Sequence, residues 1–148
     1  MNLVNDPPSI ISPATQTVPE DHYLIFSTPY IRLSDPDAGG EPAWVTLEAT
    51  HGTITLSYTT GLTFITGDGI DDATMVFTGI IPIINLDMEG MVFRPTPNYF
   101  GPASIDITVN DMGHSGLGGP LEATATVDIT VTSVNDAPVA VNDTVDTP

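Results

Sequence analysis

The sequence has no cysteine, no lysine and only two basic residues, Arg32 and Arg94. The absence of cysteine excludes disulfides, zinc–thiolate sites and thiol catalysis. The scarcity of positive charge argues against nucleic acid and anionic membranes as partners, because both bind basic surfaces. No apolar run approaches the length of a membrane span, so direct insertion into a membrane is not expected.

Negative charge, in contrast, is abundant: 19 acidic residues give a formal net charge of −17. Two interpretations of this charge stay open. The carboxylates either promote solubility alone, or some of them neutralise bound divalent cations. Disorder is disfavoured, because the chain is 41% hydrophobic and its apolar residues alternate regularly with polar ones.

The apolar pattern is that of short strands separated by turns rich in Gly, Pro and Asp. A short helical turn after Pro82 is a potential exception. The pattern predicts an all-β protein, an antiparallel Greek-key β-sandwich of the cadherin/immunoglobulin-like class. The clearest predicted strands are 45–49, 52–57, 62–65, 74–79, 91–95, 103–111 and 123–134.

The same stretch, Val-Asn-Asp-x-Pro, occurs near both ends of the chain, at 4–8 and 134–138. Here the two stretches are called the N-terminal and C-terminal junctions. Their asparagines, Asn5 and Asn135, lie 130 residues apart, and similar Thr/Val-rich sequence follows each junction. This predicts one unit of a tandem array, with 1–7 as the end of a preceding linker, 8–137 as the repeat, and 138–148 as the start of the next repeat or linker.

Carboxylates occur in turns along the chain, where loops can supply the six to eight oxygen ligands that calcium prefers. In order they are the first junction, "VPED" at 18–21, "SDPDAGGE" at 34–41, "TVNDMG" at 108–113 and the second junction. Each motif alone is compatible with an ordinary turn. The ordered set is more specific than any member of it.

This ordered set resembles cadherin repeats, in particular the cadherin-like repeats of large bacterial surface adhesins. The stretch "RPTPNYFGPASIDITVNDMG" at 94–113 and the closing "ATVDITVTSVNDAPVA" are similar to theirs. The resemblance covers nearly the whole chain. It implies that calcium binds at the junctions between successive domains, with ligands from both sides.

Carried over to this sequence, the resemblance implies two groups of metal ligands. The N-terminal group is Asn5, Asp6, Asp35, Asp37 and Asp111. The C-terminal group is Glu20, Asn135 and Asp136, with Glu89 of "NLDMEG" as a further member.

The junctions depart from animal cadherins, which read Asp-x-Asn-Asp-Asn there. Leu3 and Ser133 stand at the first position, and Pro7 and Ala137 at the last. Because bridging groups are lost, one or two calcium ions are expected at each junction rather than three.

The sequence "GDGIDD" at 67–72 contains a further acidic cluster, Asp68, Asp71 and Asp72. It lacks the terminal Glu of a helix–loop calcium site. A Gly-rich hairpin turn is therefore expected, and ion binding there stays open.

The expected function is that of a calcium-binding, calcium-rigidified extracellular repeat, acting as a spacer or adhesion module in a large cell-surface protein. Its expected partners are neighbouring repeats of the same chain and a cell-surface glycan or protein. The alternative is a calcium-dependent module that binds a carbohydrate or protein ligand through aromatic residues such as Trp44 and Tyr99, although core packing is their more common fate. No enzyme activity is expected, because the histidines lack a nucleophile or zinc-like spacing.

Overall fold

The computed structural model describes residues 7–26, 31–35, 42–112 and 121–134. Within these residues, eleven strands and one helix follow one another along the chain. The elements are β1 (Ser9–Ile11), β2 (Gln16–Pro19), β3 (Leu24–Phe26), β4 (Arg32–Ser34), β5 (Pro42–Thr50), β6 (Gly52–Thr55), β7 (Thr63–Thr66), β8 (Thr74–Ile80), α1 (Ile81–Met88), β9 (Met91–Pro95), β10 (Gly101–Asn110) and β11 (Glu122–Thr132).

The strands form two main sheets, one in the order β2-β11-β10-β5-β8-β7 and one in the order β3-β9-β6, and β1 pairs with β4. All pairings are antiparallel except that of β2 with β11. The chain crosses between the two main sheets several times, so strands distant in sequence become neighbours. The expected all-β, sandwich-like fold is confirmed, and each of the seven predicted strands is present.

The core lies between the sheets because inward positions alternate with outward ones along each strand. Ile105, Ile107 and Val109 of β10 are buried, as the period-two pattern predicts. Phe77 from the first sheet and Phe93 from the second are fully buried in the same apolar cluster. One hydrophobic core therefore joins the two sheets.

Helix α1 connects β8 of the larger sheet to β9 of the smaller one. Pro82 stands in its first turn, where the missing N–H costs no helical hydrogen bond. The buried side chain of Asn85 fixes the helix to β4: Leu33 N–H donates to Asn85 Oδ1 (2.8 Å), and Asn85 Nδ2 donates to the Leu33 carbonyl (2.9 Å). The sequence predicts a single turn in this region, whereas the structure has a helix of 8 residues.

Candidate functional site

The structure describes four of the nine predicted metal ligands: Glu20, Asp35, Glu89 and Asp111. The other five lie outside the described residues. These are Asn5, Asp6, Asp37, Asn135 and Asp136.

Glu20 lies beside Thr132 and Val134, although it is far from them in sequence. The parallel pairing of β2 with β11 sets Pro19 opposite Thr132, and Glu20 N–H donates to the Thr132 carbonyl (2.8 Å). The Glu20 carboxylate is buried, and its Oε1 accepts from Val134 N–H (2.8 Å). Glu20 therefore holds the backbone of the residue that precedes Asn135.

Asp111 lies at the opposite end of β10 and closes the connection to β11. Its backbone N–H donates to the Leu121 carbonyl (3.0 Å), and its Oδ1 accepts from Leu121 N–H (2.9 Å). The side chain is buried. The carboxylate thus fixes both described ends of the segment between the two strands.

The strand register places Glu20 and Asp111 at opposite ends of the sandwich. Gly101, the first residue of β10, pairs with Val131, next to Thr132 and Glu20, whereas Asp111 follows the last residue of β10. Because β10 has 10 residues and a strand rises about 3.4 Å per residue, the two carboxylates are separated by roughly 30 Å.

Asp35 directly follows β4. It lies at the same end of the fold as the first residues of α1. Asn85 of α1 is bonded to Leu33, two residues before Asp35. The start of β5, opposite Asn110, pairs with the last residues of β8, from which α1 continues. Asp35 and Asp111 therefore both lie toward this end, away from Glu20.

Glu89 is not brought beside Glu20. Gly90 N–H donates to the Phe26 carbonyl (2.7 Å) at the end of β3, whereas Glu20 precedes the start of that strand. β3 therefore lies between the two carboxylates. Glu89 is exposed at the end of α1, where it lines a surface groove.

The acidic cluster at 67–72 forms a turn whose carboxylates already have partners in the protein. Asp72 Oδ2 accepts from the N–H groups of Asp68 and Gly69, both at 2.8 Å. Asp68 Oδ1 accepts from Ile70 N–H (3.0 Å), and Asp71 Oδ1 lies 3.4 Å from Arg94 Nη1. These carboxylates shape and anchor the turn.

Within the described residues, no three or more histidine, aspartate or glutamate side chains lie together as a metal-binding group. Glu20, Asp35 and Asp111 nevertheless carry the oxygen ligands that calcium prefers, and each follows the end of a strand. Each of the two predicted ligand groups also contains residues outside the described part of the chain.

Sequence reasoning missed Asp87, a buried carboxylate in the last turn of α1. Asp87 is 3% exposed, and its Oδ2 atom is buried without a hydrogen-bond partner. Burial raises the pKa of this carboxyl because desolvation disfavours its charged form. The available signal was the single acidic residue within the mostly apolar run "IIPIINLDM".

Asp87 faces a groove between α1 and the segment that follows β6, called here the α1 groove. The groove has a volume of about 530 Å³. Its lining includes Tyr58, Thr60, Ile83, Leu86, Asp87 and Glu89.

The aromatic residues divide between packing and exposure. Tyr99 packs against the core and stacks on the His51 ring with centroids 4.2 Å apart. Trp44 does not pack in the core and is 37% exposed, because Ala43 and Val45 occupy the inward positions of β5. It lines a depression of about 380 Å³ on the outer sheet face, together with Thr46, Thr108, Asn110, Met112 and Glu122.

No protein-family model matches this sequence, and no curated protein matches it. In the part of the chain that the structure describes, no helix is both long and apolar enough to cross a membrane.

Proposed function

We propose that this protein is a calcium-binding repeat of an extracellular surface protein and that calcium stiffens its connections to neighbouring repeats. The observation that carries the proposal is the separation of Glu20 from Asp111. The resemblance to cadherin-like repeats implies that these two carboxylates belong to different junctions, and they lie near opposite ends of β10. Such an arrangement suits a unit that binds ions at each end and transmits force between them.

At the C-terminal end, Glu20 would bind calcium together with Asn135 and Asp136. The hydrogen bond from Val134 to Glu20 supports this assignment, because it brings the junction backbone to the carboxylate. At the N-terminal end, Asp35, Asp37 and Asp111 would act with Asn5 and Asp6. Glu89 is left out of the proposed set because β3 separates it from Glu20.

The physical effect of calcium would be to remove repulsion between carboxylates. Like-charged groups a few ångströms apart destabilise each other, and the chain carries a formal net charge of −17. An ion shared between a junction and its adjacent loops converts binding free energy into ordering of the linker. At the millimolar calcium typical of weak extracellular modules, an array would change from a flexible to a stiff form.

The proposal is tested by small-angle scattering on two copies of the sequence fused head to tail. Calcium is titrated against magnesium at constant ionic strength, which separates specific coordination from charge screening. We expect calcium to lengthen the particle and to raise its melting temperature. If calcium changed neither quantity, the proposed function would be refuted.

The exposed Trp44 favours a second candidate function, binding of a carbohydrate. An aromatic ring beside threonine hydroxyls and the amide of Asn110 offers both stacking and hydrogen bonding to a sugar. A glycan screen with and without calcium tests this candidate. Binding that disappears in Trp44→Ala but persists in Phe100→Ala, a control at an exposed aromatic outside this depression, would support it.

A further inference from the structure

The α1 groove is built between two segments that are fastened to each other. Ser57 N–H donates to the Asp87 carbonyl (3.0 Å), and the Ser57 hydroxyl donates to the carbonyl of Glu89. Gly61 packs directly on Ile83, so closely that a Cβ atom at Gly61 would lie 2.9 Å from the Ile83 side chain. Both walls are thus held in place, and the groove is formed before any ligand binds.

Asp87 is among the residues that line this groove, and its carboxyl group has an oxygen without an internal partner. Its Oδ2 atom has no hydrogen bond, and the side chain is more than nine-tenths buried. An isolated buried carboxylate is costly unless a cation or hydrogen-bond donor accompanies it. A ligand that is both a cation and a hydrogen-bond donor would offset the unfavourable free energy of burying this carboxylate.

The rest of the lining indicates what kind of cation fits. Tyr58, Ile83 and Leu86 provide aromatic and aliphatic walls, and Glu89 adds a second carboxylate. Two carboxylates are few for calcium, which takes six to eight oxygen ligands. An ammonium group on an aliphatic stem matches the groove better, because its charge pairs with a carboxylate while its methylenes cover apolar surface.

The basic residues of the described chain lie outside this lining. Arg94 pairs with Asp71 in another part of the fold. Arg32 lines a neighbouring depression with Asn85, Leu86 and Glu89. The 148 residues contain no lysine, so a lysine side chain in this groove must come from outside these residues.

We propose that the α1 groove binds an alkylammonium group, with Asp87 as its main anion, Glu89 as a second carboxylate and the Tyr58–Leu86 walls around its stem. A free aliphatic amine and a lysine side chain of another protein share this chemistry. The site is independent of the proposed calcium function, since none of its residues belongs to the proposed calcium ligands.

The test is an amide-detected NMR titration of the 148-residue protein with n-butylammonium chloride at pH 7.5 and constant ionic strength. We expect saturable shifts at Tyr58, Leu86 and Gly90, with a dissociation constant of about 1 mM for so small a ligand. Nα-acetyl-lysine N-methylamide is titrated in parallel. Its binding would identify lysine side chains as a source, whereas binding of butylammonium alone would restrict the site to free amines.

Three comparisons make the test specific to charge at Asp87. The nearly isosteric Asp87→Asn variant is expected to weaken butylammonium binding about tenfold, since a charge-assisted bond is lost. Glu89→Gln should weaken it about two- to threefold. Asp128→Asn, at an exposed position of β11 outside the groove, should leave it unchanged.

The proposal fails if n-butanol shifts the same resonances with equal affinity, because the groove would then recognise only the apolar stem. It also fails if calcium chloride alone produces the shifts, or if Asp87→Asn binds butylammonium as well as the unaltered protein. If Asp87→Asn did not fold, the comparison of butanol with butylammonium and the Glu89→Gln variant would still decide the question.

Discussion

The carboxylates of the turn at 67–72 have hydrogen-bond partners within the protein, whereas a carboxylate oxygen of the α1 groove has none. Asp72 accepts two backbone hydrogen bonds within its own turn, whereas the Oδ2 atom of Asp87 accepts none. The turn has three aspartates in six residues, a density typical of ion-binding loops. Asp87 is the single acidic residue of the mostly apolar run at 80–88.

The difference shows that a high local density of acidic residues does not by itself indicate ion binding, because the three aspartates of this turn are engaged by other groups of the protein. At 67–72 the aspartates replace backbone partners that a tight turn leaves unpaired. Asp87 performs no such local task among the described residues. Burial of its carboxyl without an internal hydrogen-bond partner is unfavourable. Asp87 is therefore a stronger candidate for binding a ligand than the aspartates at 67–72.

The largest effect is expected from Asn85→Ala, which tests whether α1 is a fixed wall of the groove. The change leaves both backbone groups of Leu33 without their partner in a buried place, so it should lower the free energy of unfolding by about 3 kcal/mol. Urea unfolding measures the loss. Leu86→Ala, exposed on the same helix, is the control and should cost less than about 1 kcal/mol.

The next effect concerns the turn itself. Asp72→Ala removes the acceptor of two N–H groups and should cost about 2 kcal/mol. Asp72→Asn retains one acceptor oxygen and should cost less. Equal stability of Asp72→Ala and the unaltered protein in urea would show that these hydrogen bonds do not hold the turn.

A smaller effect of opposite sign is expected from Asp87→Asn. Because burial raises the pKa of Asp87 in the folded state, the native protein binds this proton more tightly than the unfolded chain. The carboxyl therefore favours folding at low pH, and this contribution is lost as pH rises from the unfolded value of 3.8 through the folded one.

Asp87→Asn should accordingly be more stable than the unaltered protein at pH 7. This advantage should shrink as pH falls through the raised pKa of folded Asp87 and be nearly gone below the unfolded value of 3.8. Thermal unfolding from pH 3 to 7 measures the difference. Glu89 and Tyr58, the other titratable groups of the groove lining, are present in both proteins and cancel in the comparison. An advantage that does not change with pH would contradict the assignment to ionisation of Asp87.

The smallest effect is expected at Arg94, whose guanidinium lies 3.4 Å from Asp71 and 4.6 Å from the centre of the Tyr23 ring. Both charged side chains are about half exposed, so Arg94→Gln should cost less than about 1 kcal/mol. High salt should remove most of this difference. A cost above about 2 kcal/mol would show that Arg94 stabilises the turn far more than an exposed ion pair does.

Much of the fold was predictable because strand alternation is a local signal. The inward residues of β10 and β11, such as Ile105 and Ile129, follow the period-two pattern and are buried. The N-terminal strands β1 to β4 are only 3 or 4 residues long, and so short a stretch carries little pattern. Helix α1 was only partly predicted because an apolar run beside proline suits either a turn or a helix.

The candidate sites were harder to predict because their members are joined by tertiary pairing. The resemblance to cadherin-like repeats assigned Glu20 and Asp111 to different junctions, and strand register puts them near opposite ends of β10. It also grouped Glu89 with Glu20, which β3 separates. The isolation of Asp87 depends on which groups surround it in three dimensions, and no spacing in the sequence reports that.

The most direct test of the proposed function is calorimetric titration of calcium into two fused copies of this sequence. We expect saturable binding in the millimolar range. Glu20→Gln combined with Asp111→Asn should weaken it at least about tenfold, and Asp128→Asn should leave it unchanged. Absence of calcium-specific heat, or equal binding by the double variant, would show that Glu20 and Asp111 do not bind calcium.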